Sequence, residues 1–259
     1  MHPILFDFGS IKVYSYGFCI MLGALFGYFY ALKHAKTIGL TSDHVSEMTL
    51  LIIIASYIGG KVFLWFSDWS YYMQNPAKMI ELNGNGFVFY GSFIFCIIGL
   101  FAFFNFRKVT AAPIFDVLAV CTAIVHGFGK IGCFMAGCCH GKVCSAAMGI
   151  VYHNPLSQAH PLDTPLYPVP LIDATIIFSA ALFLIWYGKR KQFAGELMLW
   201  YIFIYSTARF FTEFLRGDDD RGFIGPLSQS QWVSIGLLIL AGIIYWVMKK
   251  NTVSPKHRK

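Results

Sequence analysis

A chain of 259 residues in which 57% are hydrophobic and only 13% charged, with 26 phenylalanines, lacks the charge that a soluble domain of its size carries. The net charge of +7 is large enough for a nucleic-acid binder, but it falls in small basic clusters between long apolar runs, which argues against that class. No basic n-region precedes the first apolar stretch, so no signal peptide is expected and insertion rests on the spans themselves.

A membrane-crossing helix needs about 20 mostly apolar residues. In chain order, seven stretches qualify: residues 15–32, 47–66, 86–106, 114–135, 171–187, 195–214 and 231–248. The third and fourth are separated by the turn Asn105-Phe106-Arg107-Lys108. Lys33 and Lys36 follow the first span, and Arg107 and Lys108 the third. Lys189, Arg190 and Lys191 follow the fifth, and Lys249, Lys250, Lys256, Arg258 and Lys259 the seventh. Every odd-numbered exit is basic, which the positive-inside rule assigns to the cytoplasm. The expected fold is an all-α integral membrane protein of seven transmembrane helices, its N-terminus outside (periplasmic) and its C-terminus cytoplasmic. It forms a single transmembrane domain over residues 1–259. The tail His257-Arg258-Lys259 is expected to rest against anionic lipid.

Three longer connections fall on the outer side, at residues 68–85, 138–168 and 215–230. They are rich in Gly, Pro, Asp, Asn and aromatic residues, as ordered surface loops are. The middle one is long enough for a small outer-face cap, with a short strand at residues 147–152. The cytoplasmic turns are short, so chemistry is expected outside, where the loops are.

Ionisable residues within spans mark functional sites by default. Lys61, Lys130 and Arg209 lie roughly 14 to 16 residues from the cytoplasmic ends of their spans, or about 21 to 24 Å at 1.5 Å per residue. A single lysine there would snorkel to the interface. Three cations on separate spans at one depth favour a convergent anion site near the outer-leaflet phosphates. In the sixth span, Tyr205, Arg209, Glu213 and Arg216 fall at offsets of 4, 8 and 11. At about 100° per residue they share a stripe roughly 80° wide. An Arg–Glu–Arg ladder there leaves one positive charge, which a lipid phosphate would meet bidentately.

Tyr16 and Tyr90 stand at the outer starts of spans one and three, followed by Gly17 and Gly91. Tyrosine is a common interfacial anchor, and the glycines would permit close backbone approach. Of the seven cysteines, four are spaced Cys133-x4-Cys138-Cys139-x4-Cys144, with His126 and His140 nearby. On the oxidising side a disulfide among Cys138, Cys139 and Cys144 is an expected possibility. A zinc site is disfavoured because Cys-x2-Cys spacing is absent. Gly127, Gly129, Gly132, Gly137 and Gly141 surround the cluster and suggest tight packing or an approaching ligand.

Several segments occur in a recognisable order. They are Tyr14-Ser15-Tyr16-Gly17, Gly59-Gly60-Lys61, Phe89-Tyr90-Gly91-Ser92, Gly129-Lys130-Ile131-Gly132-Cys133-Phe134 and Arg209-Phe210-Phe211-Thr212-Glu213-Phe214-Leu215-Arg216. In this order the chain resembles the prolipoprotein diacylglyceryl transferases nearly end to end, in a branch with a Gly-Cys-Phe-x-x-Gly-Cys-Cys block. The resemblance implies a seven-helix inner-membrane enzyme with its site facing the outer leaflet. Such an enzyme moves diacylglycerol from phosphatidylglycerol to the lipobox cysteine of a prolipoprotein and releases glycerol phosphate. Tyr16, Asp116, Gly141, Tyr205, Arg209 and Glu213 match positions important in the family, and Asp116, near the cytoplasmic end of its span, reads as structural. Lys61 and Lys130 stand where the family usually has arginine, Tyr90 where it often has histidine, and Cys133 where it has asparagine. The acidic residue near Cys138 is missing, and Tyr167-Pro168-Val169-Pro170 replaces a His-Pro-x-Gln motif.

The expected reaction is attack of the acceptor thiolate on the glycerol carbon that bears the phosphate ester. Arg209, Lys130 and Lys61 would hold the phosphate and the charge developing on it. Glu213 or Tyr90 would aid deprotonation, or Glu213 would orient Arg209. Tyr16 and Tyr205 would bind the headgroup, with Arg216, Gly91 and Gly141 on the substrate side. No metal or organic cofactor is expected, and the partners are phosphatidylglycerol, a prolipoprotein signal peptide and the bilayer. Two other classes remain: a membrane thiol-redox protein that depends on Cys138, Cys139 and Cys144, and a non-catalytic phospholipid-binding paralogue with a different acceptor.

Overall fold

In lipid, every backbone N–H and C=O has to be satisfied within its own segment, so long apolar runs become helices. The computed structural model describes residues 1–9, 12–80, 88–218 and 222–253. A hairpin of β1 (Ile4–Asp7) and β2 (Lys12–Tyr14) leads into α1 (Ser15–His34). There follow α2 (Ser42–Ser67), the short α3 (Trp69–Gln74) and α4 (Ala77–Ile80), α5 (Phe89–Arg107) and α6 (Ala111–Ala136). A hairpin of β3 (Ile150–Val151) and β4 (Pro165–Leu166) precedes α7 (Val169–Tyr187). Then come α8 (Glu196–Thr212), a 3-10 turn at Glu213–Leu215, the hairpin β5 (Phe223–Ile224) and β6 (Leu227–Ser228), and α9 (Gln229–Val253).

Among the described residues, six helices are long and apolar enough to cross a membrane: α1 with its 3-10 extension to Ile38, α2, α5, α6, α7 and α9. This is a mostly helical, multi-pass membrane protein. Side chains such as Phe29, Ile98, Leu182 and Trp246 stand exposed on it, as lipid-facing residues do. The stretch expected as the sixth span forms α8, which is only 17 residues long, about 26 Å at 1.5 Å per residue. The start of the third expected span, the end of the 68–85 connection, part of the 215–230 connection and the His257-Arg258-Lys259 tail lie outside the described residues.

The backbone groups into two compact units, one of residues Leu32–Ala111 and the other of Met1–Ala31 with the described residues from Ala112 onward. In the first, α2 packs on α5. The two backbones meet at Gly59 and Gly91: a Cβ on Gly59 would stand 2.3 Å from the Gly91 carbonyl oxygen, and one on Gly91 2.2 Å from that of Gly59. Only glycine permits that approach. Valine at either position is expected to cost about 1–3 kcal/mol or more by overpacking, read as a lower melting temperature in detergent; an unchanged melt would show that the helices can slide apart freely. The α2 N-terminus is closed by Thr41 and His44, each side chain bonding the other's backbone N–H.

In the second unit, α6, α7 and α8 share a core that includes Ala119, Ala123, Ile177, Leu184, Leu197 and Tyr201. Small residues again set the spacing: a Cβ on Gly132 of α6 would lie 3.0 Å from the Tyr16 Cα of α1. Asp116, buried in the second turn of α6, positions the start of α8. Its carboxylate accepts from the Gly195 and Leu197 N–H groups at 2.9 and 2.8 Å and from Lys191 Nζ at 2.7 Å. Two otherwise unsatisfied helix-end donors and a cation thus converge on one acid. Asp116→Ala is expected to destabilise the protein by about 2–4 kcal/mol, since buried donors are left unpaired. Asp116→Asn, which keeps an acceptor, is expected to cost less in the same melting experiment.

Residues 138–168 carry a small core of their own. Tyr152, Ala159 and Leu166 are buried together, with Met1, Phe134 and Leu162 packed against them. The strand expected at 147–152 is present as Ile150–Val151, paired antiparallel with Pro165–Leu166.

Candidate active site

The carboxyl end of α8 gathers the charged groups. Tyr205, Arg209 and Glu213 follow one another at four-residue spacing, so they line one face. Arg209 Nη2 lies 2.7 Å from Glu213 Oε2 and donates to Ser230 Oγ at 3.1 Å. Its other terminal nitrogen, Nη1, is buried and has no hydrogen-bond partner among the described residues. A buried guanidinium nitrogen with no acceptor is costly, and an anionic oxygen would relieve that cost.

Arg216 does not continue this stripe. The chain tightens into the 3-10 turn after Thr212, and Arg216 itself is extended, with φ −70° and ψ 144°. Its backbone bridges to Gly141, and its guanidinium donates through Nε to Asp218 Oδ1 at 2.8 Å and through Nη2 to Oδ2. The predicted helical offset to position 216 therefore fails, because it assumed 3.6 residues per turn beyond the point where the helix ends. Burial pushes the Asp218 carboxyl up, but the hydrogen bonds and charge of Arg216 more than offset this and hold it below the usual carboxylate range.

Lys130, two turns from the end of α6, is buried and donates to Asp173 Oδ2 of α7 at 2.7 Å. The charge expected for a phosphate is thus matched by a carboxylate that sequence reasoning passed over. The signal was present: Asp173 is an acid close to the start of an otherwise apolar span. Next to this pair, His126 Nδ1 and Tyr201 Oη share a hydrogen bond of 2.8 Å. The Tyr205 ring stacks on Tyr201 at 6.2 Å and meets the His126 ring edge-on at 4.6 Å, so its orientation is fixed on two sides.

Tyr16, at the first turn of α1, lines a cavity of about 530 Å³ together with Gly17, Ala136, Cys138, Leu156 and Gln158. Gly141 joins the cap to the end of α8. A Cβ there would stand 2.4 Å from that of Tyr167 and 3.0 Å from the Leu215 carbonyl oxygen, so no larger residue fits. Its N–H donates to the Tyr167 carbonyl at 3.0 Å. Lys61, Tyr90 and Gly91 belong to the other unit. Lys61 is buried in α2, Tyr90 is exposed in the first turn of α5, and Gly91 makes the close contact with Gly59.

All seven cysteines are free thiols, so the disulfide considered for Cys138, Cys139 and Cys144 is not formed here. Instead the sulfurs of Cys133, Cys138 and Cys139 converge, all within 4.8 Å of one another. Continued helix would place Cys138 about 7.5 Å along the axis from Cys133. The chain turns back instead: Gly137 is left-handed at φ 83°, where a Cβ would also strike Ser157 Oγ, and Cys139 is left-handed at φ 57°. Hydrogen bonds from Cys133 and Cys138, and the charges of Lys130 and Arg216, lower the Cys139 thiol below its usual range against the opposing effect of burial. His140 lies beside the trio in sequence but is fully engaged. Its Nδ1 faces the Gly141 carbonyl at 3.1 Å, and its Nε2 accepts from the His160 N–H at 3.3 Å.

Comparison with known proteins places this geometry in context. Residues 3–248 match the family model for prolipoprotein diacylglyceryl transferase. The chain is 36% identical over 249 residues to phosphatidylglycerol–prolipoprotein diacylglyceryl transferase 2 of Clostridium perfringens, covering 96% of each protein. It is 34% identical over 245 residues to the phosphatidylglycerol–prolipoprotein diacylglyceryl transferase of Clostridium tetani, covering 95% of this chain and 97% of that one. A similarly named protein of Clostridioides difficile is 26% identical over 253 residues, with 97% of each covered.

Proposed function

This chain belongs to the prolipoprotein diacylglyceryl transferase family, and from that premise we propose that it is a transferase acting on phosphatidylglycerol. It moves the diacylglyceryl group to the lipobox cysteine thiol of a prolipoprotein and releases glycerol phosphate. The observation that carries this reading at the site is the buried Arg209 Nη1, which has no acceptor among the described residues, on a side chain otherwise held by Glu213 and Ser230. A guanidinium fixed in this way is preorganised for a phosphate oxygen and costs no rearrangement when charge develops there.

The thiol sulfur attacks the glycerol carbon, a C–S bond forms, and the C–O bond to phosphate breaks with its electron pair leaving on the phosphate oxygen. Arg209 stabilises that oxygen. Glu213 orients Arg209, and its existing ion pair argues for that role over the role of base. Tyr205, fixed by Tyr201 and His126, presents its hydroxyl to the headgroup, and Tyr16 does so from the cavity wall. Lys130, already neutralised by Asp173, contributes a local dipole more than a free charge. Lys61 as a further cation and Tyr90 as an aid to deprotonation belong to this reading through the family's sequence pattern, as does Arg216 at the headgroup.

α8 is taken as the seventh crossing, its short length made up by the 3-10 turn that follows. The basic exits support an outside N-terminus, an inner-membrane location and a site facing the outer leaflet. Purified protein in phosphatidylglycerol micelles is expected to release glycerol phosphate only when a lipobox peptide with its cysteine is present. Phosphatidylglycerol binding without any release would overturn the reading and leave a lipid-binding protein in its place.

A further inference from the structure

Alkylating a thiol requires losing its proton, and a free cysteine titrates near 8.5. Among the described residues of this unit, the acids and imidazoles around the site are already committed. Glu213 pairs with Arg209, Asp173 with Lys130, Asp218 with Arg216, His126 with Tyr201, and His140 with two backbone groups. Three free thiols remain, gathered at one point and assigned no role by the reaction as described above.

We infer that Cys133, Cys138 and Cys139 form a three-thiolate site for a thiophilic divalent cation, zinc in the first instance, whose open fourth position takes the acceptor thiol. Sulfurs around tetrahedral zinc stand roughly 3.8 Å apart at Zn–S distances of about 2.3 Å. The three sulfurs here, within 4.8 Å of one another, reach that spacing with small side-chain rotations. Soft thiolate sets select zinc and monovalent copper over hard cations. Three protein ligands with an open position is the arrangement of reactive rather than purely structural zinc. His140 does not close the fourth position, because both ring nitrogens are engaged. The fourth position has somewhere to open: Cys138 lines the cavity of about 530 Å³ that Tyr16 also lines, which is large enough for an incoming cysteine side chain.

The inference rests on the transfer reaction proposed above and supplies a means of activating the acceptor thiol that does not depend on Tyr90. The acceptor thiol displaces water from the cation and gives its proton to solvent, since a coordinated thiol is deprotonated outright. The bound thiolate attacks the glycerol carbon, the C–O bond breaks, and its electron pair leaves on glycerol phosphate, which takes up a proton from solvent. The neutral thioether product binds the cation weakly and departs. No electrons are exchanged, so no oxidant or reductant is needed.

Cadmium is the probe, because its sulfur-to-metal charge-transfer band in the ultraviolet counts bound thiolates. Titration of the reduced, full-length protein in detergent is expected to saturate at one cadmium per chain. Serine at Cys133, Cys138 or Cys139 is expected to lower the band by about one third and weaken binding at least about tenfold, whereas Cys144→Ser leaves both unchanged. Adding a lipobox peptide is expected to raise the band by about one third, and a peptide with serine for cysteine to leave it flat. No band, a band indifferent to the three serines, or no rise with the cysteine peptide would each overturn the inference. Full transfer by chelator-treated protein would overturn the activating role while leaving the transferase reading intact. Conversely, absence of glycerol phosphate release from zinc-loaded protein that shows the peptide-dependent cadmium band would sink the transferase reading and leave the metal site standing.

Discussion

Arg209→Lys is expected to lower glycerol phosphate release about 10²-fold while leaving the melting temperature in detergent within a few degrees of the parent. Lysine keeps a cation for Glu213 but offers a point charge instead of a planar fork. What disappears is the second nitrogen, the one that is buried with no acceptor among the described residues. Arg209→Ala is expected to lose more, about 10³-fold, but it also strands a buried carboxylate, at a cost of about 3–5 kcal/mol. Some of that loss would therefore be unfolding. Pairing the alanine with Glu213→Gln removes the stranded charge and recovers the melt without recovering turnover. If the guanidinium acts only on charge developing on the leaving group, kcat falls and KM holds. Normal turnover by Arg209→Lys would mean that Nη1 faces something other than the phosphate.

The buried pair of Lys130 and Asp173 separates structure from chemistry. Removing one partner, as in Lys130→Met or Asp173→Asn, leaves the other buried and unpaired and is expected to cost about 3–5 kcal/mol. Replacing both, as in Lys130→Met with Asp173→Leu, is expected to restore most of that stability, since an apolar pair of similar volume is often no worse than a buried ion pair. The double variant then reports on function alone. Transfer that stays lost in a protein with a normal melt would keep Lys130 near the phosphate. Full transfer would reduce it to a strut between α6 and α7.

The membrane helices were legible because lipid demands one continuous apolar segment per crossing, and no folding context can disguise that. The stretch read as a sixth span is the exception: it forms the 17-residue α8, whose apolar run is interrupted by Glu196, Ser206 and Arg209. The structural role of Asp116 followed from its depth alone. Arg216 was misplaced because a 3-10 turn leaves no mark in sequence spacing. Asp173 was passed over because a lone acid near the start of a span resembles an ordinary partner of the helix dipole. The thiol trio was hidden most deeply. Its assembly depends on two left-handed residues, Gly137 and Cys139, and one of them is not a glycine, so no spacing rule would flag it.

The cap between α6 and α7 is fastened to residues that come later in the chain. Gly141 bridges to Arg216, Lys142 N–H donates to the Leu215 carbonyl at 2.8 Å, and Gly217 N–H donates to the His140 carbonyl at 3.0 Å. As the chain emerges from the ribosome, the cap residues are delivered first and their partners only after α7 and α8 have been made. The cap therefore cannot close in the order of synthesis. It stays incomplete until residues 215–217, which follow α8, are available. Closure of the cap is therefore a late step in folding, set by contacts between segments about 75 residues apart in the chain.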